Sequence, residues 1–172
     1  MLNKKWWVVL MVIVSSSLIF ASHIFAKDTQ EEEPSLQGLH GVLVSTQILA
    51  PDFDRDVLPS SQIQTDVESQ LGAAGITVLT KEQWQTTPGN PLLGIAVSAC
   101  EHEGLYAVCI DVVLAQLVRL DRNLDISMWA ETWSTGVVGI AVEESLAPTV
   151  CNWMREMIDK FINAYLAANL GQ

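Results

Sequence analysis

Gly104-Leu105-Tyr106-Ala107-Val108-Cys109-Ile110-Asp111-Val112-Val113-Leu114-Ala115-Gln116-Leu117-Val118 decides how the chain folds. In an extended chain, successive side chains point to opposite faces. Tyr106, Val108, Ile110, Val112, Leu114 and Val118 then share one side, a clear period of two. Leu105 to Leu120 is therefore expected to be the longest strand. Leu92 to Ala99 precedes it and Ile126 to Val138 follows it, each across a short polar turn. Turns that short allow only antiparallel neighbours, so the three stretches form a meander. Gly136 and Gly139 are expected to loosen the end of the last one.

Outward from the meander, Leu39 to Leu49 alternates as a strand, with Val42, Val44 and Ile48 facing one way and Ser45 and Gln47 the other. Pro51-Asp52-Phe53-Asp54 closes it with turn residues. Pro59-Ser60-Ser61 opens a helix whose apolar side is Ile63, Val67, Leu71 and Ala74, and Gly75 stops it. Ile76 to Leu79 reads as a short strand. Thr80 and Gln83 form a capping-box pair for a brief helix carrying Trp84, halted before Pro88-Gly89-Asn90. The last helix runs from about Ala147 to Ala168 with Pro148 in its first turn. Its stripe of Val150, Met154, Met157, Ile158, Phe161 and Tyr165 has helical spacing and reads as core. Arg155, Glu156, Asp159, Lys160 and Asn163 mostly take the other side.

These elements predict an α+β two-layer sandwich. Its mixed five-stranded sheet follows the order β-α-β-β-β-β-α, with one parallel strand–helix–strand unit and a C-terminal meander. Both helices cover the Val112 face. One domain, residues 39–172, holds all of it.

The first twenty-six residues address the chain. Lys4 and Lys5 precede an apolar core from Trp6 to Phe20, broken only by Ser15, Ser16 and Ser17, and Ile24-Phe25-Ala26 offers a cleavage site. That is the layout of a secretory signal peptide. The core is barely long enough to span a bilayer, which takes roughly 20 apolar residues. Two readings stay open. Either the leader is cleaved and the protein is periplasmic or secreted by the general route, or it is retained as an inner-membrane anchor facing the periplasm. Residues 27–38, with Glu31-Glu32-Glu33 and Pro34, read as an acidic flexible tether.

The chain carries 9 basic and 20 acidic residues, net −11. Removing residues 1–26 removes Lys4 and Lys5 and no acid, which leaves a net charge of −13. Such a surface repels nucleic acid and anionic headgroups, whose recognition depends on clustered lysine and arginine. A membrane is a partner only if the leader stays.

Catalytic signatures are scarce. The sequence has no glycine-rich phosphate loop, no Cys-x-x-Cys pair, no His-Glu-x-x-His helix and no Gly-x-Ser-x-Gly elbow. Beyond the leader only His40 and His102 are present. Cys100-Glu101-His102-Glu103 brings metal-ligand types together, with Cys100 and His102 as the metal candidates. Consecutive residues of one tight turn cannot easily surround an ion, however, so a polar hairpin turn is the expectation. No cofactor is implied. Cys100, Cys109 and Cys151 are odd in number, so at least one thiol stays free or pairs between chains. If Glu101–Gly104 is the turn, Cys109 lies opposite Ala96, too far from Cys100 for a bridge, which needs Cα atoms within roughly 7 Å. A Cys100–Cys109 disulfide remains one reading. Cys151 reads as a small core residue.

Asp111 and Glu131 share a sheet face. Pairing Leu120 with Ile126 sets Glu131 opposite Ala115, leaving the two carboxylates roughly 13 Å apart along the strands. Glycosidase carboxylates stand about 5 to 10 Å apart, so this is not an acid–base pair. The same register places Trp129 beside Leu117 and Trp133 beside Val113 on the face away from the helices, with Arg119 also there. Trp129, Trp133, Val113, Leu117 and Glu131 thus form the expected contact surface. A one-residue slip would return both tryptophans to the core.

Several phrases carry a resemblance. They are Leu71-Gly72-Ala73-Ala74-Gly75-Ile76-Thr77-Val78-Leu79 running to Trp84, Thr87-Pro88-Gly89-Asn90-Pro91-Leu92, Gly104-Leu105-Tyr106-Ala107 leading to Gln116-Leu117-Val118, Glu131-Thr132-Trp133-Ser134-Thr135-Gly136, and Phe161-Ile162-Asn163-Ala164-Tyr165-Leu166-Ala167-Ala168-Asn169. Together they resemble a group of short exported bacterial proteins of uncharacterised function, across most of the chain after the leader. The resemblance implies export and a single small domain, and carries over no activity. Cys100 and Cys109 lie outside these phrases. The architecture also looks like small periplasmic modules of envelope assembly and secretion, which act mostly by docking.

The leading expectation is a non-enzymatic exported domain that binds a protein or envelope component, a second copy included. A small metal-binding protein or hydrolase centred on Cys100–Glu103 and a membrane-tethered structural protein are the alternatives.

Overall fold

A computed structural model of the protein describes residues 33–49 and 60–169. The expected leader, the tether up to Glu32 and the Pro51–Asp54 turn lie outside the described residues. The fold is α+β and, among the described residues, has one mixed four-stranded sheet and three α-helices. Strand β1 (Leu43–Leu49) runs parallel to β2 (Leu92–His102), and β3 (Leu105–Leu120) and β4 (Asn123–Val142) follow antiparallel, in spatial order β1-β2-β3-β4. Helix α1 (Ser60–Ala73) and the short α2 (Lys81–Thr86) lie in the crossover between β1 and β2, and α3 (Leu146–Asn169) ends the fold.

Four strands replace the expected five. Ile76 to Leu79 makes a single parallel bridge, Val42 to Val78. The Val42 amide donates to the Thr77 carbonyl at 3.0 Å and the Leu79 amide donates to the Val42 carbonyl at 2.8 Å. Thr80 then caps α2, so no residue is left to extend a ladder. The Leu43 amide points the other way, to the Pro91 carbonyl, which puts this bridge on the far edge of β1 from β2. The parallel unit is closed by β2 instead. At the bridge the backbones come so close that a Cβ on Gly41 would collide with the Thr77 carbonyl oxygen.

Helix α1 ends as its glycine predicts. Gly75 has φ 79°, its amide donates to the Gly72 carbonyl, and the Ile76 amide donates to the Leu71 carbonyl, both at 3.0 Å. This pair of hydrogen bonds is a Schellman stop, and buried Ile76 and Leu71 supply the apolar contact that accompanies it. Ile63, Val67 and Leu71 of α1 are buried together with Val150, Met154, Met157, Ile158 and Phe161 of α3. They share one apolar cluster with Leu93, Ile95 and Val97 of β2 and Val108, Ile110, Val112 and Leu114 of β3. The period-two residues of β3 and the stripe of α3 thus meet, as expected, on the Val112 face.

Two boundaries move. Gly136 and Gly139 sit inside β4, which stays paired with β3 as far as Val142. Each is a close approach and not a loosening. A Cβ on Gly139 would collide with the ring of Trp153, and one on Gly136 would stand 2.9 Å from both the Ile110 carbonyl oxygen and Asp111 Oδ1. At the other end, Glu33–Leu36 is a 3-10 turn with Leu36 fully buried, so the folded unit begins before residue 39. Asn169 Nδ2 donates to the Leu36 carbonyl at 3.0 Å, and its Oδ1 accepts from the Gly38 amide at 2.8 Å. The Tyr165 hydroxyl donates to the Leu39 carbonyl at 2.8 Å.

Candidate functional site

The side chains opposite the helices form the outer face of the sheet. Its composition turns on one residue. Ala115 faces Glu131 and Leu117 faces Trp129, but Leu114 faces Trp133, so β4 carries an extra residue, Thr132, between Glu131 and Trp133. A bulge of this kind reverses the in–out phase of the strand beyond it. Trp129 therefore remains on the outer face beside Leu117, as expected. Trp133 does not: it is 1% exposed and packs edge-on against Phe161, ring centroids 5.2 Å apart at 70°. Val113 faces Ser134 instead.

Polar side chains hold the bulge. The Thr132 carbonyl accepts from Ser35 Oγ at 2.8 Å, and Thr132 Oγ1 accepts from Gln116 Nε2 at 2.7 Å. Gln116 Nε2 also donates to the Ser35 carbonyl at 3.2 Å. The turn at Glu33–Leu36, read from sequence as tether, is therefore what satisfies the irregular backbone of β4.

A second tryptophan enters from α2. Trp84 stacks on Trp129 with ring centroids 5.9 Å apart and planes 13° from parallel. The expected capping box fixes the helix: Thr80 Oγ1 accepts from the Gln83 amide at 3.3 Å, and the Thr80 amide donates to Gln83 Oε1 at 2.9 Å. Backbone and Thr80 hydrogen bonds also hold the Glu82 carboxyl below its ordinary range. Asn90 Nδ2 donates to the Trp84 carbonyl at 2.8 Å, and the Leu117 amide donates to the Gly89 carbonyl at 2.7 Å. The Thr87–Asn90 turn is thereby tied to β3, which sets Trp84 over Trp129. The Trp84 indole N–H is enclosed with no acceptor among the described residues.

The rest of the outer face is low and apolar. Gly94, Ala96 and Ser98 of β2 and Ala107, Cys109 and Ala115 of β3 keep its middle small. Along β4, Val138 is 71% exposed and Ile140 70%, with exposed Val142 and Leu105 beside them. Single exposed apolar residues are ordinary, but a contiguous row is not. Glu131 is exposed opposite Ala115, as the sequence suggested, and Asp111 stands opposite Gly136. The two carboxylates are four residues apart on paired strands and do not form a pair.

The hairpin after β2 is tighter than expected. Glu103 (φ 51°) and Gly104 (φ 78°) form a two-residue turn in the left-handed region, the conformation that matches strand twist. His102 then pairs with Leu105 and Cys109 lies opposite Ser98, two places from the expected Ala96. Cys100 lies opposite Ala107, so the two cysteines are diagonal neighbours on the outer face, and all three thiols are free. Cys109 Sγ donates to Asp111 Oδ2 at 3.4 Å. Desolvation, that hydrogen bond and the Asp111 charge all push the Cys109 thiol above its ordinary range. Cys100, Glu101, His102 and Glu103 are exposed, and the Glu101 carboxylate accepts from the Gly104 amide at 2.6 Å. No group of three or more His, Cys, Asp or Glu side chains is placed to hold a metal among the described residues.

A groove of about 510 Å³ between α1 and α3 escaped the sequence reading; Val67, Gln70, Cys151, Met154, Arg155 and Asp159 are among its walls. Gln70 Nε2 bridges it, donating to Asp159 Oδ1 at 2.7 Å and to the Arg155 carbonyl at 3.2 Å. Cys151, read as core, is half-buried here. Burial and the nearby Asp66 raise its thiol.

No protein-family model and no curated protein matches the chain. Among solved structures it is similar to a PelC variant from Paraburkholderia phytofirmans, solved as a dodecamer. The two are 18% identical over 77% of this chain and 91% of that one, with a TM-score of 0.40. No residue role passes from that likeness to this chain.

Proposed function

We propose that the protein is an exported binding domain of the cell envelope that docks a protein or envelope component through its outer sheet face. The contact residues in this reading are Trp129, Leu117, Val113 and Glu131, with Trp84 taking the part first assigned to Trp133. One observation carries it. A sheet face outside the helix-covered core bears the exposed apolar side chains of Leu105, Leu117, Trp129, Val138 and Ile140. Leaving that much apolar surface in water is unfavourable unless a partner covers it.

The two-layer arrangement belongs to the same proposal, with the helices as one layer and the second face of the sheet kept open. Export rests on the lysine-led apolar opening of residues 1–26 and on the resemblance to short exported bacterial proteins. Cleavage after Ala26 leaves a periplasmic or secreted protein, and retention leaves one tethered to the inner membrane.

Affinity capture from envelope extracts tests the surface. Wild type is expected to retain a partner that the Leu117→Ala/Trp129→Ala double variant loses. Equal recovery by both would remove this face from consideration.

A further inference from the structure

Among the described residues, strand β4 is the last of the sheet and pairs with β3 on one side only. In an antiparallel pair, alternate residues turn both N–H and C=O away from the partner strand. Such an edge is a template for another chain, and natural proteins blunt it with charge, proline, bulges or a covering segment. The first half of β4 has these protections. Asp125 and Glu131 lie in it, Thr132 bulges, and the turn at Glu33–Leu36 bonds to the Thr132 carbonyl. The opposite edge of the sheet, β1, is only seven residues long and is preceded by the Val42–Val78 bridge on that side.

Among the described residues, none of them is found at Thr135-Gly136-Val137-Val138-Gly139-Ile140-Ala141-Val142. It contains no charge and no proline, and spans about 27 Å at the usual rise per residue. It also includes Val138 and Ile140, the two most exposed large apolar side chains among the described residues. We propose that this edge pairs antiparallel with the same edge of a second copy, joining two sheets into one of eight strands. The proposal goes beyond the docking reading above, since it uses the edge of β4 and not the surface around Trp129 and Leu117.

Three features select a second copy. An antiparallel edge is its own complement under a two-fold axis, so each outward N–H meets a C=O without any further matching of sequence. Pairing about Gly139 also sets Val138 beside Ile140 of the partner subunit, twice over, on the same outer face. Charge is the third. A basic partner would seek the acids of this chain, and the strip offers none. The strip brings no like charges together, and repulsion between two copies of net −11 is screened beyond about 8 Å at physiological ionic strength.

Sedimentation of the purified full chain across micromolar concentrations, at low and high salt, tests this. Wild type is expected to show a reversible monomer–dimer equilibrium whose dissociation constant falls as salt rises. Ile140→Lys should weaken it by about tenfold or more, because a desolvated charge would sit beside the partner strand. Val138→Lys is the second variant, and circular dichroism checks that both keep the fold. Trp129→Ala should leave the dimer intact. A wild type that stays monomeric, association untouched by both lysine variants, or association that salt weakens would each overturn the proposal. A monomer that still captures an envelope partner through Trp129 would remove the dimer alone, and a dimer that captures nothing would remove the docking reading alone.

Discussion

Trp84 and Trp129 stand nearly parallel, ring centroids 5.9 Å apart, although one comes from the crossover helix and the other from the last strand. The stack pins the Thr87–Asn90 turn and α2 against the sheet. Aromatic pairs contribute about 0.5–1.5 kcal/mol beyond the area they bury. A double-mutant cycle of Trp84→Ala and Trp129→Ala in urea unfolding is expected to give a coupling in that range. Strict additivity would show that the rings merely sit near one another.

Thr132 sets which tryptophan is inside. Deleting it removes the phase change, so Trp129 and Trp133 can no longer face opposite sides of β4. The deletion should cost about 3–5 kcal/mol, comparable to Trp133→Ala, because the large ring filling the core beside Phe161 is lost either way. Thr132→Ala keeps the extra residue and loses the hydroxyl's hydrogen bonds, at about 1 kcal/mol. Urea midpoints of the three variants check the order. A deletion no worse than Thr132→Ala would contradict the register.

Gly139 is the counterpart of Trp153, whose ring occupies the space a side chain would need. Gly139→Ala is expected to destabilise by about 1–3 kcal/mol, as overpacking does. Combining it with Trp153→Ala should recover part of that loss, a non-additivity characteristic of residues in contact. Thermal unfolding of the single and double variants measures it.

The Cys109 thiol is held protonated by desolvation first and by Asp111 second. Only the thiolate reacts with alkylating reagents, so its rate should rise at higher pH than for an ordinary thiol. Asp111→Asn removes the charge and weakens the hydrogen bond to the neutral thiol. The pH–rate profile should then move to lower pH, with faster alkylation near neutrality. Mass spectrometry of timed alkylation reads each cysteine separately. An unmoved profile would show that Asp111 has no hold on it.

Periodicity made the helices, the meander and the core legible: Ile63, Val67 and Leu71 on α1, the even positions of β3 from Val108 to Leu114, and the stripe on α3 all lie where their spacing puts them. Local chemistry was readable too, in the capping box at Thr80 and the stop at Gly75. Two kinds of feature were not. A bulge leaves no mark in an alternation that runs Trp129, Glu131, Trp133 without interruption, and what stabilises it, Ser35 and Gln116, is remote in sequence. Strand pairing near the hairpin depended on Glu103 taking φ 51°, a conformation unusual outside glycine and asparagine. The surface was half legible for the same reason. Trp129 and Leu117 lie before the irregularity and were placed correctly, whereas Trp133 lies after it. Trp84 was found on its helix, but its position over the sheet depends on the Leu117–Gly89 hydrogen bond, which no spacing reveals.

Asn169 grips both the Leu36 carbonyl and the Gly38 amide, so the entering and departing stretches of the polypeptide pass side by side. Rewiring the connectivity there asks little of the backbone. A circular permutant whose linker joins Asn169 to Glu33, reopened between Glu103 and Gly104, should assemble the same architecture from a different starting point.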